Sequence, residues 1–132
     1  MFYEVGIDIV ELERIKRLIK NNDKFLLRIF TSKERELFMK RKNNFCTIAA
    51  NFSAKEAIAK AFGCGIGFLG WRNIEVLRDE KGKPFVNLYG KAKEVFLQKG
   101  IADIRLSLSH SKEYVVAFCL LIGGDVCEGS DF

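Results

Sequence analysis

Two carboxylates stand where the sequence otherwise asks for apolar side chains. Asp8 interrupts Gly6-Ile7-Asp8-Ile9-Val10. A carboxylate in such a setting is costly unless it is hydrogen-bonded, paired or bound to a cation. One reading puts Asp8 at a strand end, capping a helix that starts near Glu11. Glu56 continues the helical stripe of Ile48, Phe52 and Ala59, and Lys60 lies one turn beyond it. The plain reading there is a surface Glu56–Lys60 pair. The sharper reading brings Asp8 and Glu56 together around a hard divalent cation. Mg2+ is commonly held by one or two carboxylates, with water and phosphate oxygens completing its shell. His110 is the sole histidine and follows a strand in Leu106-Ser107-Leu108-Ser109-His110-Ser111. A structural or merely exposed role is the ordinary one there, yet Ser109, Ser111 and Lys112 make the turn rich in donors for phosphate oxygens. Gly65, Gly67 and Gly70 spell a formal G-x-G-x-x-G. A dinucleotide fingerprint leaves a strand and opens a helix. This one leaves a helix and approaches a strand, so the dinucleotide reading is rejected.

The elements that must position these groups follow from periodicity. Residues 3–10 are β-branched and mostly apolar, which predicts a strand buried on both faces. Leu12, Ile15, Leu18 and Ile19 recur at helical spacing, and Phe25, Leu26, Ile29 and Phe30 predict a second short helix. Thr31 and Glu34 make a capping box that opens a helix to about Arg41. Residues 45–62 form a long helix that Gly63 ends. Residues 72–78 and 84–89 predict a hairpin around the turn Asp79-Glu80-Lys81-Gly82. Residues 92–99 predict a helix, while 103–109 and 114–122 predict two more strands. The class is α+β: a single small domain over 1–122 with a mainly antiparallel sheet packed against helices. A polar, acidic tail over 123–132 is expected to fray.

With 132 residues, 48% of them hydrophobic, the chain has the apolar content of one folded domain. Disorder is excluded on that ground. The longest apolar run, Val115–Ile122, is far short of the roughly 20 residues of a membrane-spanning helix. The first residues lack the features of an export signal. Four cysteines without a C-x-x-C pair, beside a single histidine, do not make a zinc site. Reduced thiols and a cytoplasmic location are therefore expected. The net charge of +5 is unevenly spread. Between Arg14 and Lys42 there are 11 basic and three acidic residues, so 29 residues carry +8 and the remainder carries −3. These are solvated helix faces or a surface for an acidic partner.

Three segments in one order carry a family resemblance: Gly6-Ile-Asp8 with Arg14-Ile15, then Lys55-Glu56-Ala57 with Lys60-Ala61, then Ser109-His110-Ser111. Together with the glycine loop after the central helix and Gly82-Lys83-Pro84, they resemble the holo-acyl-carrier-protein synthases. These are the small stand-alone class of 4′-phosphopantetheinyl transferases. The resemblance implies transfer of 4′-phosphopantetheine from coenzyme A to a serine of apo-acyl carrier protein, releasing adenosine 3′,5′-bisphosphate, in support of fatty acid biosynthesis. It implies Mg2+ on Asp8 and Glu56, and it decides both carboxylates in favour of the metal. It further implies catalytic roles for Glu56, Lys60 and His110. Coenzyme A contacts are implied at Lys60, His110, Lys55, Gly65 and Pro84. Arg14 and Arg17 of the first helix would meet the acidic carrier protein. A homotrimer with sites between neighbouring chains is implied as well.

One position departs from the family pattern. Where many members carry arginine, this chain has Asn51, and Lys55 or a neighbouring subunit is the expected substitute toward a coenzyme A phosphate. Glu56, acting directly or through a metal-bound water, is preferred as general base and His110 is the weaker candidate. The rival reading of the basic segment is a nucleic-acid-binding module, but no stacking aromatics or groove-reading motif are interleaved there. No nucleic-acid or membrane partner is therefore expected. A catalytically inert relative that only binds carrier protein is the third reading.

Overall fold

The computed structural model describes residues 1–124. In chain order the elements are β1 (Phe2–Glu11), α1 (Leu12–Asn21), α2 (Phe25–Ile29), α3 (Ser32–Lys40), α4 (Phe45–Phe62), α5 (Ile66–Leu69), β2 (Ile74–Arg78), β3 (Pro84–Leu88), α6 (Gly90–Gln98), β4 (Ile101–His110) and β5 (Tyr114–Gly123). The class is the expected α+β. The strands form two antiparallel sheets: β1-β5-β4, and the separate hairpin β2-β3. The frayed tail expected over 123–132 lies outside the described residues from 125 onward, and Gly123 itself ends β5.

Helix α4 organises the molecule because it is buried nearly all round, polar Asn51, Ser53 and Lys55 included. Ile48, Ala49 and Phe52 join a core with Val10, Ile15, Phe25, Phe30 and Phe38. One turn further, Ala54, Ala57, Ile58 and Phe62 join a second core with Ile74, Val76, Val95 and Leu121. Asn44 accepts from the Cys46 amide at the start of α4, and Gly63 closes it in the left-handed region at φ 74°. The capping box at Thr31 and Glu34 forms as read: each side chain takes the other residue's amide.

Strand β1 lies directly on this helix. A Cβ at Gly6 would come within 1.9 Å of the Ala57 carbonyl oxygen, so only glycine permits the approach. The expectation that β1 is buried on both faces fails for the single chain. Only Gly6 and Val10 are buried, while Tyr3, Val5, Ile7 and Ile9 stand exposed on the side away from α4. Their cross-strand partners Ile122, Leu120, Phe118 and Val116 share that open face. Two smaller differences concern boundaries. The glycine loop contains a one-turn helix, α5, and β4 extends to include His110 as its last residue.

Candidate active site

Asp8 and the α4 side chains meet where β1 crosses the helix. The Ser53 hydroxyl lies 2.8 Å from Asp8 Oδ2 and donates to it, fixing the carboxylate. Lys60 Nζ donates to Asp8 Oδ1 at 3.3 Å and to the Ile7 carbonyl at 2.9 Å. Lys60 thus bridges back to β1 and ion-pairs with Asp8, which speaks against the plainer of the two readings of Glu56, a surface pair with Lys60. Asp8 does not cap α1, whose N-cap residue, Glu11, makes no side-chain bond. Burial holds the Glu56 carboxyl above its ordinary range, and the charge of Asp8 pushes it further up, against Lys60 and Arg14. Two carboxylates that repel one another, flanked by two cations, are a donor set into which a divalent cation fits.

Arg14 approaches the same region from α1, its guanidinium carbon 5.6 Å from the centroid of the Phe52 ring. Arg17, one turn on, is exposed.

His110 and Pro84 lie elsewhere in the chain. They line a cleft of about 500 Å3 with Arg41, Asn44, Cys46, Thr47, Arg78 and Gly82. Burial and the adjacent Arg41 charge pull the Arg78 guanidinium down to about 10. Among the described residues neither arginine forms an ion pair. Two guanidinium groups facing one cleft without a carboxylate make a site for anionic oxygens. Sequence reasoning missed Arg41 and Arg78 because they read as members of a charge run and of a strand. It also missed Ser53, which no local signal distinguishes from any other helical serine.

Of the expected coenzyme A contacts, Lys55 faces the interior and Gly65 lies apart from both clusters. Lys55 is wholly buried, its ammonium donating to Glu34 at 2.8 Å, to the Trp71 carbonyl at 2.8 Å and to the Ile74 carbonyl. All three of its N–H groups are consumed, so it has none left for a phosphate. Asn51 is also wholly buried and donates to Glu34 at 3.0 Å and to the Val76 carbonyl at 2.8 Å. The position that departs from the family pattern therefore faces the interior here. Gly65 is exposed at the start of α5, outside both the His110 cleft and the Asp8–Lys60 cluster.

No helix among the described residues is long and apolar enough to cross a membrane. The family model described as the 4′-phosphopantetheinyl transferase superfamily matches residues 4–119. The holo-[acyl-carrier-protein] synthase of Thermoanaerobacter sp. (strain X514) is 49% identical over 127 residues, covering 96% of this chain and 92% of that protein. Among solved structures, the holo-[acyl-carrier-protein] synthase of Neisseria meningitidis superposes with a TM-score of 0.85 at 37% identity, covering 92% of this chain and 99% of that one. The Helicobacter pylori enzyme, solved in complex with coenzyme A, gives 0.78 at 30% identity, covering 89% and 99%. With the family model matched over residues 4–119 and a relative 49% identical over nearly the whole chain, this chain belongs to the holo-acyl-carrier-protein synthases of the 4′-phosphopantetheinyl transferase superfamily.

Proposed function

We propose that this chain transfers 4′-phosphopantetheine from coenzyme A to a serine of apo-acyl carrier protein in a Mg2+-dependent reaction that serves fatty acid biosynthesis in the cytoplasm. The observation that carries the proposal is the convergence of Asp8, Glu56 and Lys60 from β1 and α4. Asp8 and Glu56 would hold the metal, which when bound supplies positive charge to the pyrophosphate. Ser53 keeps the Asp8 carboxylate turned toward the site. The serine hydroxyl attacks the β-phosphorus of coenzyme A, and the bond from that phosphorus to the bridging oxygen breaks. Adenosine 3′,5′-bisphosphate departs with the electron pair. Glu56 takes the serine proton as general base. Lys60 spends two N–H groups on Ile7 and Asp8 and keeps the third for a phosphate oxygen. Arg41, Arg78 and His110 would receive the nucleotide phosphates in the second cleft, with Pro84 on its wall.

The two halves occupy separate clefts of one chain, and the exposed apolar face of the β1-β5-β4 sheet supports their being joined between copies. Tyr3, Val5, Ile7 and Ile9 are each about 60% exposed. Ile7, Ile9 and Val116 border Asp8 and Lys60 in a shallow cleft on that side. A homotrimer would cover this face and bring the nucleotide cleft of one copy to the carboxylates of the next. Val5→Glu places a charge at its centre. It is expected to convert the assembly from three times the chain mass to one in light scattering, with transfer activity lost in parallel. An unchanged assembly would remove the sheet face as the interface.

Incubation with apo-acyl carrier protein, coenzyme A and Mg2+ tests the function: the expected product carries one phosphopantetheine on a carrier serine by mass spectrometry. No adduct, together with salt-sensitive binding to RNA or DNA, would favour the nucleic-acid reading. Carrier binding without adduct would mark an inert relative. The Mg2+ requirement should also depend on pH. Because the Glu56 carboxyl lies above its ordinary range, its proton competes with the cation earlier as pH falls. The Mg2+ concentration for half-maximal transfer is expected to rise on acidification at a pH above the range of an ordinary glutamate. A requirement flat across that window would contradict Glu56 as a ligand.

A further inference from the structure

Arg14 stands on the exposed side of α1, yet its guanidinium is not loose. It lies over the Phe52 ring, which is only 5% exposed and stacks in turn on the Trp71 indole at 5.1 Å, with the planes inclined by 23°. Phe25 packs against the same phenyl ring at 6.0 Å. Guanidinium, phenyl and indole come from α1, α4 and the 3-10 turn 71–73, so one column crosses three elements. The turn is pinned from the interior, since Lys55 donates to the Trp71 carbonyl. A free surface arginine loses much rotamer freedom when it docks, and one already stacked on an aromatic face loses less.

We propose that Trp71 is a positioning residue for the acceptor-protein step: through Phe52 it holds the Arg14 guanidinium in the orientation that meets an acidic carrier surface. The proposal rests on the reading of Arg14 as a carrier contact. Trp71 acts through two intervening groups and not on the reacting atoms. Its removal therefore moves recognition of the protein substrate and leaves recognition of coenzyme A alone.

Steady-state kinetics with purified apo-carrier protein and coenzyme A test this. Trp71→Leu is expected to raise KM for the carrier about two- to fivefold, the range of a single exposed cation–aromatic contact. Its KM for coenzyme A should stay at the wild-type value. Trp71→Phe, which keeps a stacking ring, should restore the carrier KM. In an Arg14→Ala background Trp71→Leu should add nothing, since the group it positions is gone. Additive effects of the two substitutions, or a carrier KM unmoved by Trp71→Leu, would overturn the positioning role. So would a parallel change in the coenzyme A KM or in kcat that Trp71→Phe fails to rescue, as global loosening would produce. If Arg14→Ala itself leaves the carrier KM unchanged, the carrier-contact reading of Arg14 falls first and the positioning role falls with it.

Discussion

Glu56→Gln is expected to lower transfer about a thousandfold or more, the scale of several kcal/mol of lost charge neutralisation, while the chain keeps its fold. Asp8→Ala should do the same by a less clean route, since it also strips Ser53 and Lys60 of their shared acceptor. The glutamine variant is the sharper test because it preserves shape and removes only charge. Its stability should move in the direction opposite to its activity. Folding draws Glu56 out of water beside Asp8, which disfavours its ionised form and raises its folded pKa. A group with a raised folded pKa adds stability while protonated and loses it as pH rises through that pKa. At neutral pH the charged glutamate is therefore a liability that a neutral amide lacks. Without Mg2+, Glu56→Gln should melt at or above the wild-type temperature. Added Mg2+ should raise the melting temperature of the wild type and leave that of the variant in place. Wild-type-like turnover in either variant would refute the shared metal site, and an Mg2+-induced gain retained in Glu56→Gln would move the ligand elsewhere.

Much of this arrangement was legible because local rules and global fold agree. The capping box at Thr31 and Glu34, the glycine that ends α4 and the turn before Pro84 form as local chemistry dictates. The mostly apolar pattern of β1 predicts burial on both faces, and the single chain buries only one. A strand pattern records what a side chain needs covered, not which molecule covers it, so a quaternary contact and a core contact look alike. The bonds of Lys60 to β1 are hidden from the sequence for a related reason. Helical spacing shows that Glu56 and Lys60 are neighbours, but not that β1 lies close enough, through Gly6, to offer Lys60 both a carbonyl and a carboxylate. Arg41 and Arg78 share a cleft only because α3 and the β2-β3 hairpin come together, a contact between distant segments that periodicity does not encode.

Lys55→Met is expected to destabilise the chain by about 3–5 kcal/mol, the cost of leaving a buried charge without its partner. The adjacent residues Lys55 and Glu56 are about 100° apart around α4 and so serve different sides of it. Glu56 faces the site. Lys55 faces Glu34, whose two oxygens also accept from the Thr31 and Val76 amides and from Asn51. On an ordinary amphipathic helix the side opposite the core would be solvent, and a lysine there would suit a phosphate. Because α4 is buried nearly all round, that side is a second interior, and its lysine became a tie between α3, α4 and the start of β2. Burial pushes the Glu34 carboxyl up and the Lys55 ammonium down, with each partner opposing the other's shift. The pair is held by its hydrogen bonds at a cost in desolvation, so removing both charges should do less harm than removing one. The measurement is a set of denaturant melts on Lys55→Met, Glu34→Gln and the double variant. The double variant is expected to recover a large part of the loss in Lys55→Met. If Lys55→Met instead melted like the wild type while raising KM for coenzyme A, the lysine would be a phosphate ligand after all and the buried pair would carry no structural weight.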